Sequence, residues 1–199
     1  MSSEKASQSP TLIPVRDKIL DAAEMHVLDH GANSLTLEAV AKGAEISKGG
    51  LLYHFPSKDD LIRGLVKRIH EQWMASLEAA RQKEKGGKQS MAHVLFRDAF
   101  DPEVPWDSPE WKRHQRLVAA LAAAIAHNPH LMECCRENYQ NFLKAFETDE
   151  LPLGHSLIMM SVYDAIWWSS VFGTYTLNET HRKALEVTLR SLLQLDKDL

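Results

Sequence analysis

Leu61, Leu65, Ile69, Trp73 and Leu77 recur at every fourth position. That spacing lays one apolar stripe along a helix and does not suit a strand, whose faces alternate every second residue. The same rhythm governs nearly the whole chain. No run sustains a period-two alternation, and glycines and prolines fall mostly between helical blocks. The spacing predicts an all-α fold of about nine helices, the three at the front comprising one long helix and two short ones. The first covers about 16–30 and stops at Gly31, and the second covers 37–42 with Thr36 as its N-cap. Ser47 caps a third through Phe55, and the capping box Ser57-x-x-Asp60 opens a long helix to about Lys83. Further helices are expected at 90–100, 109–127, 130–147, 154–175 and 179–195.

Composition sets the outer limits. The 199 residues are 44% hydrophobic and 25% charged with net charge −4, the profile of an ordinary globular chain. Residues 1–15 are polar, lack the apolar core of a secretory signal, and are expected to form a flexible arm. The apolar run LVAALAAAIA (117–126) is far short of the roughly 20 residues of a spanning helix. The two cysteines, Cys134 and Cys135, are neighbours in sequence and cannot staple a fold, which suits a reducing cytoplasm. The acidic excess lies after residue 70, since residues 1–70 carry nine basic and nine acidic side chains. Within 47–58 there are Lys48, His54 and Lys58 and no acid, a small basic island of the kind that faces phosphate.

That island coincides with the segment SKGGLLYHF (47–55). Two glycines in a helix cost about 1 kcal/mol each relative to alanine, so their presence asks for a close approach to the backbone. A long helix, a short one, a turn around Gly43-Ala44-Glu45 and a second short helix form a helix-turn-helix arrangement. Val40, Ala41, Ile46, Leu51 and Phe55 are its expected small core. The N-terminal residues of such a second helix enter the DNA major groove, where Tyr53 and His54 can donate to phosphate oxygens.

The pieces "ILDAAEMHVLDHG", "SLTLEAVAKGAEISKGGLLYHF" and "PSKDDLIRGL" resemble the DNA-binding domain of tetracycline-repressor (TetR) family transcriptional regulators. The resemblance covers residues 16–65, about a quarter of the chain; the helical remainder is similar to the family in length and layout. It implies a helix-turn-helix domain at 16–60 and a ligand-binding and dimerisation domain at 61–199. By position, it makes Thr36, Ser47, Lys48, Gly49, Gly50, Tyr53, His54 and Lys58 the DNA-facing set. One departure stands out: Leu52 occupies a position where the family usually has tyrosine, and Tyr53 is expected to take over the phosphate contact. Lys48 is the one long donor suited to a base edge, so DNA shape is expected to carry part of the specificity.

The resemblance further implies a homodimer on a palindromic double-stranded operator, joined through the last two long helices. Segment 155–175 is apolar on every side, as expected of a helix buried against both its own domain and a partner. The dimer face is assigned to Leu157, Ser161, Asp164, Trp168, Leu185, Leu189 and Leu192. The middle of the chain is dense in aromatic and methionine residues, most of them ordinary core. Phe100, Trp111, His114, Asn138, Phe142, Met159, Tyr163 and Trp167 are the candidate lining for a small apolar or aromatic effector. The polar groups of Asp164, His114, Asn138 and His155, set among apolar neighbours, are candidates to anchor it. The mechanism implied is repression relieved when that effector tilts the long fourth helix, which carries Lys58 at its DNA end.

Other chemistries are weaker. No glycine-rich phosphate loop and no defensible nucleophile–base arrangement is present, so an enzyme is not expected, and no cofactor is called for. A metal-sensing regulator is the alternative, through His26/His30 or the His127–His130–Cys134 neighbourhood. A helical enzyme or scaffold that binds no DNA is the remaining one.

Overall fold

The computed structural model describes residues 14–82, 90–100 and 108–195, with the side chains of His127, Cys134 and Asn138 outside that set. Among the described residues there are nine α-helices and no strand: α1 Val15–His30, α2 Leu37–Gly43, α3 Lys48–His54, α4 Lys58–Gln82, α5 Met91–Phe100, α6 Pro109–His127, α7 Glu133–Glu147, α8 Leu153–Phe172 and α9 Glu179–Leu192. Single 3₁₀ turns at Ala32–Ser34 and Pro129–Met132 precede α2 and α7. The expected flexible arm, residues 1–15, lies almost wholly outside the described residues.

The short helices are fixed by their caps. The Thr36 hydroxyl accepts from the Ala39 N–H at 3.2 Å, and the Ser47 hydroxyl accepts from Gly50 at 3.1 Å. At the start of α4, Ser57 accepts from the Asp60 N–H at 3.1 Å and donates to its carboxylate at 2.7 Å. Each bond satisfies a backbone donor that a helix start would otherwise leave open. Three ends differ from expectation for local reasons. Helix α8 stops at Phe172 because Gly173 turns left-handed (φ 62°), and α9 stops before Gln194, which also has positive φ. Helix α7 begins three residues later than expected because Pro129 opens a separate 3₁₀ turn.

Two apolar cores lie along α4. The front core joins Ile19, Leu20, Ala23 and Val27 of α1 to Val40, Leu51 and Phe55, and to Leu61, Ile62, Leu65 and Val66 of α4. It also takes in Leu117, Leu121 and Ala124 of α6, so the helix-turn-helix shares its interior with a helix from the back of the chain. The rear core joins Leu77 to α5, Phe142 and Phe146 of α7, Met159, Tyr163 and Ile166 of α8, and Leu189 and Leu193. Helix α4 therefore crosses the expected domain boundary at residue 60 without a break and belongs to both cores.

Gly64 marks the tightest contact between α4 and the recognition module. A Cβ there would stand 2.6 Å from Phe55 Cε1 and 3.2 Å from Leu20 Cδ2. Gly64→Ala gains about 1 kcal/mol of helix propensity but must displace the buried Phe55 ring, and overpacking of this kind costs about 1–3 kcal/mol. The expected outcome is a lower melting temperature by calorimetry, with weakened DNA binding at temperatures where the protein is still folded.

Candidate functional site

Two surfaces carry chemistry, one at each end of the front core. The first is α3. Leu51 is its fully buried anchor, while Tyr53 is 84% exposed and its ring meets the His54 ring edge-on at 5.1 Å. Leu52 also faces outward. A Cβ at Gly49 would meet only the Ser47 hydroxyl at 4.0 Å, so the backbone there is open to a ligand. At Gly50 the reason for glycine is different, because a Cβ would press on the Ser47 capping oxygen at 3.3 Å. Thr36, Ser47, Lys48 and Gly49 are all solvent-exposed, as is Tyr53, while Gly50, His54 and Lys58 are half-buried.

The two lysines of the basic island are held. The Lys48 ammonium is ion-paired with Glu38 on α2, and both side chains are exposed. That hydrogen bond holds the Glu38 carboxyl below its ordinary range. Lys58 donates to the Asn33 carbonyl at 2.8 Å, tying the start of α4 to the turn before α2. Sequence reading missed Glu38 as a partner, although it lies two residues past the Thr36 cap and on the exposed side of α2.

The second surface is a partly open cavity of about 210 Å³ bordered by α4, α5, α6, α7 and α8, at the seam between the two cores. Of the candidate effector residues, Trp111, His114, Tyr163 and Trp167 line it. Phe100, Phe142 and Met159 do not: they pack in and against the rear core, Phe100 stacked on Phe96 and Phe142 against Trp73 and Phe146. The Asn138 side chain lies outside the described residues. The lining includes His70 and Trp73 of α4, Asp98 of α5 and Tyr139 of α7, which were not among the candidates. Trp73 falls on the every-fourth-residue stripe, and that signal alone could not tell a cavity wall from core.

Four dimer candidates also meet the chain's own cavity or core. Asp164 and Trp168 border the cavity, and Leu189 is buried in the chain's own rear core with Leu192 packed beside it. A helix apolar on all sides gives no periodic cue to its faces, so sequence alone mixed the cavity side of α8 with its outer side. Leu157, Ser161 and Leu185 lie instead in a shallow apolar groove between α8 and α9, with Ile158, Ala165 and Tyr175.

The cavity has an ordered floor. Trp73 Nε1 donates to the Tyr163 hydroxyl at 3.1 Å, and that hydroxyl donates to Asp98 at 2.6 Å, linking α4, α8 and α5. Burial and the Asp98 charge push the Tyr163 hydroxyl far above its ordinary range, and burial raises Tyr139 to about 12. Burial lowers His70 and His114, so both imidazoles favour the neutral form. Burial alone pushes the Asp164 carboxyl up to about 6.

The same helices grip α1. Arg68 of α4 pairs with Asp21 at 2.6 Å and with Glu24 at 2.7 Å, and Arg113 of α6 reaches the other oxygen of Glu24 at 3.1 Å. Arg116 donates to the Leu28 carbonyl at 3.0 Å, and Asn128 donates to Asp59 at 2.7 Å. His26 and His30 sit with ring centroids 4.8 Å apart, His26 engaged by Ser34, and His130 pairs with Glu133. Among the described residues no three His, Cys, Asp or Glu side chains converge to hold a metal ion, and no helix is long and apolar enough to cross a membrane.

A capped helix-turn-helix sharing its interior with a helical, cavity-bearing domain defines the class: a helix-turn-helix regulator with a sensory domain. Residues 19–65 match the family model for bacterial regulatory proteins of the tetR family, and residues 104–194 match that for the tetracyclin repressor-like C-terminal domain. The chain belongs to the TetR family of bacterial regulatory proteins, which are DNA-binding transcription factors rather than enzymes. It is 39% identical over 64 residues to the HTH-type transcriptional regulator RutR of Escherichia coli K12, a stretch covering 32% of this chain and 30% of RutR. It is 25% identical over 148 residues to the biofilm operon regulator IcaR of Staphylococcus aureus, covering 66% of this chain and 80% of IcaR. Its fold is similar to that of the multidrug binding protein EbrR complexed with ethidium, with TM-score 0.65, 20% identity and coverage of 90% and 98% of the two chains. The TetR-family member SCO1917 from Streptomyces coelicolor matches with TM-score 0.66, 20% identity and coverage of 89% and 98%.

Two substitutions test this geometry. Tyr163→Phe strands the Trp73 N–H and removes a donor from Asp98, and should lower stability by about 1–3 kcal/mol in denaturant melts. Asp164 has a carboxyl raised above its ordinary 3.8, so its contribution to stability is complete below that value and is lost as pH rises through about 6. Asp164→Asn removes that loss. Allowing for solvent in the cavity, the variant should gain about 1 kcal/mol at pH 7.5, roughly 2–4 °C in Tm, and no gain at pH 4.

Proposed function

We propose that this protein is a transcriptional repressor acting in the cytoplasm as a homodimer on a palindromic double-stranded DNA operator, released when a small apolar or aromatic molecule enters its cavity. The observation that carries the reading is the double use of α4 and α6. Both wall the cavity, through Trp73 and His70 on one and Trp111 and His114 on the other, and both hold α1 through Glu24. A ligand that spreads them acts on the seat of the recognition module.

On the DNA side, Thr36, Ser47, Lys48, Gly49, Tyr53, His54 and Lys58 are the proposed contacts. Tyr53 reaches phosphate with its hydroxyl, and the open backbone at Gly49 approaches the groove. Lys48 exchanges Glu38 for a base edge or phosphate, so part of its binding energy replaces an existing ion pair. The proposed dimer contact is the outer face of α8 and α9, where Leu157, Ile158 and Leu185 border the groove and Leu153, Phe172 and Val187 are exposed. Two recognition helices in such a dimer stand roughly 34–36 Å apart, one turn of DNA.

Selection of bound sequences from random DNA tests the reading. A palindromic site is expected, together with a dimer in sedimentation. Lys48→Ala should weaken binding to that site and reduce its salt slope by about 1, and Tyr53→Phe should weaken it with the fold intact. Recovery of no preferred sequence, or full affinity in both variants, overturns the proposal. A second substitution separates the Glu38 pair from the rest: Glu38→Gln should raise affinity several-fold at low salt by freeing Lys48 and removing a negative charge from the interface. Unchanged affinity would mean that Lys48 does not face DNA.

A further inference from the structure

The cavity is lined by six large aromatic rings, those of Trp73, Trp111, Tyr139, Tyr163, Trp167 and Trp168. Aromatic walls alone suit any flat apolar molecule. The charges are more selective. Two carboxylates border the space, Asp98 and Asp164, and no Lys or Arg is among its described lining residues. Asp98 receives the Tyr163 hydroxyl at 2.6 Å and is part of the floor. Asp164 is different: among the described residues no hydrogen bond and no ion pair reaches its carboxylate, and burial is the one influence on its ionisation.

Asp164 is half-buried, and a carboxylate partly withdrawn from water at a cavity wall gains when a positive charge arrives beside it. The neighbours cannot supply that charge. His70 and His114 are the nearby bases, and burial favours their neutral forms. Cys135 and the two tyrosines can contribute only neutral or negative groups. The faces of tryptophan and tyrosine rings attract cations as well, most strongly where water is excluded. The space of about 210 Å³ is several times the ~30 Å³ share of one water, enough for a compact organic ion.

We propose that the effector is an organic cation, a positively charged nitrogen on an apolar or aromatic body, with Asp164 as its counter-charge and the surrounding indole and phenol rings as its walls. This rests on the reading of the cavity as the effector site and specifies the ligand class for it. Binding removes no proton and makes no bond; the cation gives a half-buried carboxylate the partner that none of the described residues supplies.

A matched pair of ligands tests it on the full-length protein. Benzyltrimethylammonium and neopentylbenzene have the same shape and differ only in a quaternary nitrogen replacing a quaternary carbon. Tryptophan fluorescence and calorimetric titration at pH 7.5 should give an affinity for the cation at least tenfold higher, and in Asp164→Asn the two affinities should converge. The wild-type comparison stands even if the variant folds poorly. Equal affinities in the wild type overturn the cation proposal and leave the cavity as a site for neutral effectors. A tenfold preference that persists undiminished in folded Asp164→Asn overturns the assignment of Asp164. Failure of both ligands to bind folded protein at millimolar concentration overturns the proposal together with the effector reading on which it rests.

Discussion

One carboxylate holds the sensory and DNA-reading parts of this protein in register. Glu24, on α1, offers one oxygen to Arg68 of α4 and the other to Arg113 of α6. Single exposed ion pairs are worth little, but Arg68 is largely buried and also engages Asp21, so the two acids and two arginines form a network rather than isolated contacts. Around that network the front core closes, with Leu117, Leu121 and Ala124 of α6 packed among the residues of α1 and α4. Helix α1 therefore has no seat of its own. Its position is set by the separation of two helices whose other faces line the cavity.

This arrangement explains why the cavity lies at the seam between two cores. Residues such as Val66, Leu121 and Cys135 belong to the front core, while Trp73 and Tyr163 belong to the rear, and both groups border the same space. Close-packed interiors transmit displacement because their side chains cannot absorb it by compression. The Trp73–Tyr163–Asp98 chain ties α4 to α8 and α5 along the rear wall, and no α6 side chain takes part in it. On the proposed reading, a small molecule at this seam would press on both cores at once.

Much of the fold was legible because its signals are local. The Thr36 and Ser47 caps, the Ser57–Asp60 box and the four-residue stripe of α4 are decided by neighbours in sequence, and each stands where the sequence implied. The cavity was half legible. Trp111, His114, Tyr163 and Trp167 were recognisable as large or polar groups in apolar surroundings, but Phe100, Phe142 and Met159 have the same chemistry and fill the rear core. What separates them is which face of a helix meets a void, and a void leaves no mark on composition. Helix α8 is the extreme case: being apolar all round it gives no cue to its faces, and Asp164, assigned from sequence to the dimer face, borders the cavity. Gly64 went unnoticed for a related reason: its meaning lies in the Phe55 ring nine residues away.

The DNA-reading surface bears on the same question from the other side. Helix α3 is only seven residues long and is held by one fully buried residue, Leu51, and by the Ser47 cap. A helix that short has little independent stability, so it moves with α1 and α2 as one body. Its polar reach is also limited: Gly49 and Gly50 carry no side chain, and Lys48 is already engaged by Glu38. Few side chains are available to compensate for a poor fit by bending toward a base. Binding on such a surface depends on the backbone lying at the right distance and angle to the groove. A recognition helix poor in adaptable readers is therefore sensitive to small displacements of its seat, and α4 and α6 fix that seat.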